Sequence, residues 1–446
     1  MKRFIQNIQN IWKVEELRTR IILTLGLILV YRIGSFVIIP GVNYDALNNN
    51  QGSQNTLETL LSLFSGGGFS HASVMALGIM PYISASIIMQ LLGLAVPAVQ
   101  KMQNEGESGR KQINNYTRIL TIVICALQAP SYLTMYVSQK GAMPADASTF
   151  WWTQTILVLI AGSMFAVWLG ERITEKGIGN GISLLITVGI LSRLPGAFFA
   201  EFGQSVQSGN LIRLVLEMVA FMLVVLATIL IVQGVRRIPL NTAKRVVGAR
   251  NVDINGARSY LPIKVNASGV MPIIFAQAIM TIPLMIYSGI TDSNGGTVQK
   301  TIGDIYGLGY NLLLCLLIVV FTYFYTAIMI NPSKIADDLK KSGGFVPGVR
   351  PGEETAEFID NVVTKITFPG SLFLALIAVL PAVARLVGVN DGFAMFFGGT
   401  SVLIMVGVVL DTLQQIETYT LNRHMDGLME GTRVRGRRGD NEMSGF

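Results

Sequence analysis

Ten stretches of the chain are each apolar for about 20 residues, the length a helix needs to cross the hydrocarbon of a bilayer. They run at 21–39, 73–95, 117–138, 151–170, 178–199, 211–233, 266–289, 308–330, 366–388 and 393–419. No water in hydrocarbon can satisfy free N–H and C=O groups, so runs this long and continuous are helices rather than barrel strands. Charged residues make up 14% of the 446 positions, against roughly 25% in an ordinary soluble domain. The reading is an all-α polytopic membrane protein with ten transmembrane helices.

Lys and Arg set the orientation. With the N-terminus inside, five of the 34 basic residues (Lys140, Arg193, Arg213, Lys300 and Arg385) fall outside or at outer helix ends. Arg32 lies within the first span, and the rest are cytoplasmic, which puts both termini inside. The first apolar stretch is long and lacks a small-residue cleavage site, so a cleavable signal is not expected. Residues 1–20 read as a basic amphipathic helix on the membrane surface, with Phe4, Ile5, Ile8, Ile11 and Trp12 on one face. Residues 421–446 form a basic cytoplasmic tail carrying Arg433, Arg435, Arg437 and Arg438.

Two phrases each occur twice, once per half. GIMPYI at 78–83 answers GVMPII at 269–274, and GISLLI at 181–186 answers GTSVLI at 399–404. Two matches in the same order argue for related halves, 21–200 and 201–420. Five helices per half is an odd number, so the second half enters the membrane inverted. Every phrase ends on isoleucine: Ile83, Ile274, Ile186 and Ile404. Ile79 and Ile182 stand four residues before Ile83 and Ile186 and share their helix faces. Any single isoleucine in such a helix is more often a packing or lipid-facing residue. Six related by inverted symmetry make an apolar collar that resists wetting and closes a polar path.

Residues 57–64 are apolar but reach only about 12 Å as a helix, and Gly66, Gly67 and Gly68 separate them from the second span. Such a segment either rests on the outer surface or re-enters a cavity as a plug, which is allowed where protein or water surrounds it. Leu60, Leu63 and Phe64 would be its apolar face.

Several classes are disfavoured. No GxxxxGK[ST], HExxH or CxxC occurs, the two histidines are far apart, and GESGRK at 106–111 has the wrong glycine spacing for a phosphate loop. Neither an ATP-burning pump nor a metal site or cofactor is expected, and the chain is not read as an enzyme. Cys125 and Cys315 lie inside spans as small packing residues. Ionisable groups within the bilayer are few, namely Arg32, Glu217 and Asp411, where a coupled ion transporter usually has more. Gln90 and Gln128 serve either as packing glue between the second and third spans or in gating.

Two cytoplasmic loops exceed simple connections. Residues 234–265 carry Arg236, Arg237, Lys244, Arg245, Arg250, Arg258 and Lys264 against one acid, Asp253, and the alternation in RIPLNTA and YLPIKV predicts two strand-like arms. Their prolines restrict them to edge positions. Residues 331–365 place Arg350 between two Pro-Gly turns, with Glu353, Glu354 and Glu357 opening a helix. Two protrusions on one side suit a large docking partner, and the basic one suits RNA or an acidic protein face.

The stretches LFSGGGFSHASVMALGIMPYISASIIMQLL, NEGESGRKQINNYTR, WLGERITEKGIGNGISLLI, LPIKVNASGVMPIIFA, FTYFYTAIMINPSKIADDLKKSGGFVPGVRPG and FGGTSVLIMVGVVLD resemble the SecY family, channel subunits of the bacterial Sec translocon. The resemblance runs from the first span to the tenth. It implies an hourglass channel in the bacterial inner membrane that passes unfolded secretory polypeptides and releases apolar segments sideways into lipid. The constriction would fall at Ile79, Ile83, Ile182, Ile186, Ile274 and Ile404, and a re-entrant plug at 57–73, with GGGF where relatives often have GGAL. A lateral gate between spans 2 and 7 would involve Ser84, Gln90, Gln128 and Ile282, the last standing where some relatives have an aromatic residue. Implied partners are SecE and SecG, the ATPase SecA or a ribosome, and the signal sequences of precursors. A secondary transporter and a poreless insertase are the competing classes; intramembrane charge argues against the first, and a conductance test separates the second.

Overall fold

The computed structural model describes residues 14–49, 62, 65–144, 148–207, 209–242, 259–277, 279–280 and 306–433. The amphipathic segment before residue 14, Leu60, Leu63 and Phe64 of the plug, Lys244, Arg245, Arg250 and Arg258 of the basic loop, Ile282, and the tail from residue 434 lie outside the described residues.

The chain opens with α1 (Glu15–Gly34) and the short α2 (Tyr44–Asn49). Next come α3 (Met80–Ala95), α4 (Pro97–Asn104) and α5 (Glu107–Tyr132), which runs on as a π-helical turn, Leu133–Ser138. Helices α6 (Thr149–Lys176), α7 (Gly181–Gln207) and α8 (Leu211–Val232) follow. Strands β1 (Val235–Thr242) and β2 (Ser259–Lys264) precede a helical stretch at 271–277. The remainder is α9 (Leu308–Met329), α10 (Pro332–Lys341), β3 (Gly344–Phe345), α11 (Glu353–Leu386), α12 (Asp391–Ala394) and α13 (Gly399–Arg433).

Seven helical stretches among the described residues are long and apolar enough to cross a membrane, and α3 with α4, bent by 104°, makes an eighth. They match eight of the ten predicted spans. The first span is α1, whose early turns carry Glu15, Glu16, Arg18 and Arg20, and the seventh is described only as far as residue 280. The result is the polytopic helical architecture that the hydropathy pattern predicts.

Two spans start later than their apolar runs. Residues 65–79 and 265–270 are turns, and helix begins at Met80 and at 271. The repeated phrase explains both starts. Gly78 and Gly269 have φ of +54° and +63°, a conformation that L side chains resist, so the chain reverses there. Pro81 and Pro272 come three residues later and are favoured in a first helical turn, where no N–H is needed.

The chain divides into two compact units, Met1–Arg193 with Val408–Phe446, and Leu194–Gly407. In the first, α5 packs against α3 and α6, and α1 against α6. The core there gathers Phe69, Ala72, Cys125, Tyr132, Leu133, Tyr136 and Leu159. The π turn shifts the helix phase so that Leu133, Tyr136 and Val137 are all buried. Ser148 caps α6 by accepting from the Trp151 amide at 3.3 Å.

In the second unit α9 packs along α11. One core holds Ala384, Val389, Phe393, Ala394 and Phe397. Another is built from Ile238, Leu240, Ile263, Val346, Ile359 and Val363. The strands form one sheet of order β2-β1-β3, with β1 antiparallel to both neighbours. The predicted arms are β1 and β2, paired from Val235 with Lys264 to Leu240 with Ser259. The edge rule for proline holds locally: Pro239 faces only β2, because β3 joins further along, at Asn241 and Thr242.

Candidate functional site

The four isoleucine phrases occupy matching places in their helices. Ile83 is the fourth residue of α3 and Ile274 the fourth of the stretch starting at 271. Ile186 is the sixth residue of α7 and Ile404 the sixth of α13. The pairs therefore agree in distance from a helix start as well as in sequence. In the first unit, Ile79 caps α3 and its carbonyl accepts from the Ile83 amide at 3.1 Å. Ile79, Ile186 and Ile404 are buried, whereas Ile83, Ile182 and Ile274 are half-buried. Ile182 is held by its neighbour helix: a Cβ on Gly170 of α6 would come within 2.9 Å of the Ile182 Cγ1.

On α7, Ile182, Ile186 and Arg193 lie four and seven residues apart, which places them on one face. Arg193 stands two turns, about 10 Å, beyond Ile186. Its guanidinium donates to the Ser62 hydroxyl at 2.6 Å and to the Ser70 hydroxyl at 2.8 Å. Between those serines the chain makes its glycine turn. Gly66 has φ +62°, and a Cβ there would lie 2.7 Å from the Gly189 Cα of α7 and 2.8 Å from the Arg32 Nη1. A bare backbone is what fits. Arg32 of α1 donates to the Gly66 carbonyl at 2.9 Å.

Aromatic groups finish the framework. The Tyr132 and Tyr136 hydroxyls donate to the Phe69 and Ser70 carbonyls at 2.9 and 3.0 Å. The backbone of Ile39 donates to Ala72 at 2.9 Å, and that of Val74 to Val37 at 2.8 Å. His71 lies between the rings of Phe36 and Tyr44. Its burial first, and then the charges of Arg193 and Arg32, hold the imidazole below its ordinary value of 6.5.

Of the three charges expected within the bilayer, Arg32 and Glu217 have partners in the structure. Arg32 is bound to Gly66, and the Glu217 carboxylate accepts from Arg213, one turn earlier on α8, at 2.8 Å. Asp411 is exposed. Arg193 was read only as a basic residue at an outer helix end, and the tyrosines at 132 and 136 went unremarked. Nothing in their spacing points to the glycine turn, because their partners lie 63 to 131 residues away. Of the residues expected at a lateral gate, Ser84 on α3 and Gln128 on α5 are half-buried on helices that pack together, while Gln90 is exposed and donates to the Ser86 hydroxyl at 3.4 Å.

The two long loops expected on the cytoplasmic side are joined rather than separate. β1 and β2 come from one and β3 from the other, and Ile359 and Val363 of α11 seal the shared core. Arg236 and Arg237 on β1 are exposed. Arg350 projects from the turn before α11 with its side chain 88% exposed. Its backbone is fixed, its amide donating to Glu354 at 3.3 Å and its carbonyl accepting from the Thr355 hydroxyl at 2.7 Å, and its exposed guanidinium lies 3.8 Å from the Glu354 carboxylate.

Comparison with known proteins places this geometry. A model of the SecY family matches residues 73–413. The chain is 40% identical to the protein translocase subunit SecY of Aquifex aeolicus, over 93% of this chain and 97% of that one. It is 38% identical to that of Streptomyces scabiei, over 94% and 98%. Among solved structures, one described as "The structure of a protein conducting channel" is similar with TM-score 0.65 at 20% identity, covering 90% of this chain and 92% of the other. Sec61 in the canine ribosome-channel complex from the endoplasmic reticulum is similar with TM-score 0.62 at 19% identity and the same coverage.

Proposed function

The chain belongs to the SecY family, and from that premise we propose that its isoleucine phrases form the constriction of a polypeptide-conducting channel. It is a multi-pass membrane protein and a protein translocase subunit, the channel component rather than a catalyst. Unfolded secretory chains cross through it, and apolar segments leave sideways into lipid. The observation that carries the constriction is the matched placement of Ile83 with Ile274 and of Ile186 with Ile404, measured from their helix starts. Isoleucine side chains make an apolar collar that sheds water and adapts to any passing sequence. Ile79 and Ile182 extend the collar by one turn.

The segment 57–73 acts as the plug, with Leu60, Leu63 and Phe64 as its apolar face and Gly66 to Gly68 as its hinge. Ser84, Gln90, Gln128 and Ile282 line the lateral gate that signal sequences open. The joined cytoplasmic loops form the docking surface, Arg236, Arg237 and Arg350 being its presented charges, with Lys244, Arg245, Arg250 and Arg258 extending it. The partners are SecE and SecG in the membrane, and SecA or a ribosome as the source of energy. The location is the bacterial inner membrane with both termini cytoplasmic.

The test places cysteine at Ile404 or Ile83 and a second cysteine in a stalled secretory precursor, in membranes supplied with the motor and ATP. Disulfide formation that requires the precursor is expected at both sites and not at Leu230, a residue 71% exposed on α8. A precursor that crosses through this complex without contacting either site would move the path elsewhere.

A further inference from the structure

The arginine pair at the glycine turn has no place in the functions assigned so far. Arg193 stands on the Ile182–Ile186 face of α7, two turns past the isoleucines, and spans the hinge of the plug segment by bonding Ser62 on one side of the glycines and Ser70 on the other. We infer that Arg193 is a latch: a positioning residue that holds the plug closed and is released each time a polypeptide displaces it. The inference rests on the channel reading.

Three observations carry it. Ser62 and Ser70 are separated in sequence by the three glycines, so one guanidinium holds the chain on both sides of the glycine run. Gly66 sits against the Gly189 Cα, so α7 serves as the seat as well as the source of the latch. Arg32 of α1 grips the same turn through the Gly66 carbonyl. Movement of Ser62 and Ser70 away from α7 breaks the Arg193 bonds, and Ser70 is tied a second time through its carbonyl, which accepts from Tyr136. The planar fork of arginine suits this task, since it reaches two hydroxyls at once; lysine offers a single point.

Hydrogen bonds to a charged group are each worth enough to change an equilibrium about tenfold or more. Arg193→Ala is therefore expected to raise the ion leak of the resting channel at least about tenfold, measured in planar bilayers fused with membranes holding the complete complex and no precursor. Arg193→Lys keeps one bond and should fall between. The double variant Ser62→Ala/Ser70→Ala should reproduce the leak, and adding it to Arg193→Ala should raise the leak no further. That non-additivity distinguishes a latch from a general effect of charge. Unchanged leak in Arg193→Ala and in the serine pair, with normal amounts of complex, would overturn the latch, as would additive effects of the two. The channel reading is scored separately in the same membranes by the Ile404→Cys precursor crosslink. A missing crosslink in the otherwise unaltered protein refutes the channel, whereas a retained crosslink with unaltered leak refutes the latch alone.

Discussion

Ile404→Asn tests the proposed collar at one of its buried members. The side chain is 3% exposed, so nearly all of its apolar surface has left water in the packed state. Full burial of such a side chain favours that state by about 1.5–3 kcal/mol. An asparagine amide in the same buried place brings donors and acceptors that need partners, which costs about 1–3 kcal/mol unless water enters. The substitution thus moves the balance between dry and wet collar by about 3 kcal/mol or more, on the order of 100-fold in the wetted fraction. Ion conductance of the resting complex reads that fraction directly. The matched control is Leu403→Asn: Leu403 is 1% exposed and adjacent on α13, but one residue away turns it to another face. It should lower the amount of folded protein without a comparable leak per complex. Equal leak per complex from the two variants, or no leak from Ile404→Asn, would refute the collar.

Arg350→Glu should slow ATP-driven export about tenfold or more while the protein itself inserts normally; export at the parent rate would remove Arg350 from the docking surface. Ile359→Ala removes a fully buried side chain from the core shared by both loops and should cost about 2–4 kcal/mol locally. Faster proteolysis within 234–265 as well as 331–365 is expected, and loss of protection in only one loop would show that the core does not join them. His71 supplies a pH dependence. Its folded-state pKa is depressed below 6.5, so the packed state favours neutral imidazole and the released state binds more protons. Its contribution is present above about pH 6.5 and is lost as pH falls through the folded value. Resting leak should therefore rise as the pH on the plug side drops from about 7.5 to about 5. His71→Phe, which keeps a ring between Phe36 and Tyr44, should flatten that rise, and an unchanged slope would exclude the imidazole.

The spans were legible because a hydrocarbon environment leaves the backbone one solution at that length. The arms at 235–242 and 259–264 were legible from strict alternation. The late starts of spans 2 and 7 were also written in the chain, as a glycine followed three residues later by proline, but hydropathy overrides that signal when apolar residues fill the turns before it. The joining of the two cytoplasmic loops was not legible. Its sheet contact is a two-residue strand, Gly344–Phe345, too short for any periodicity, pairing with Asn241 and Thr242 about a hundred positions earlier. The Arg193 contacts were hidden for a related reason, since a guanidinium shows its charge in sequence but not the hydroxyls it reaches.

Helix α11 is 34 residues long and so spans about 50 Å. Its first turns carry the Arg350 turn and the Ile359 and Val363 contacts, and its later turns form a membrane span. A partner that leans on the proposed docking surface would thus lean on the handle of a rod whose other end is a membrane span. Pro369 and Pro381 interrupt the rod's hydrogen-bond ladder at two known points. Each proline removes a ladder hydrogen bond, so a bending force applied at the first turns meets least resistance at these two positions.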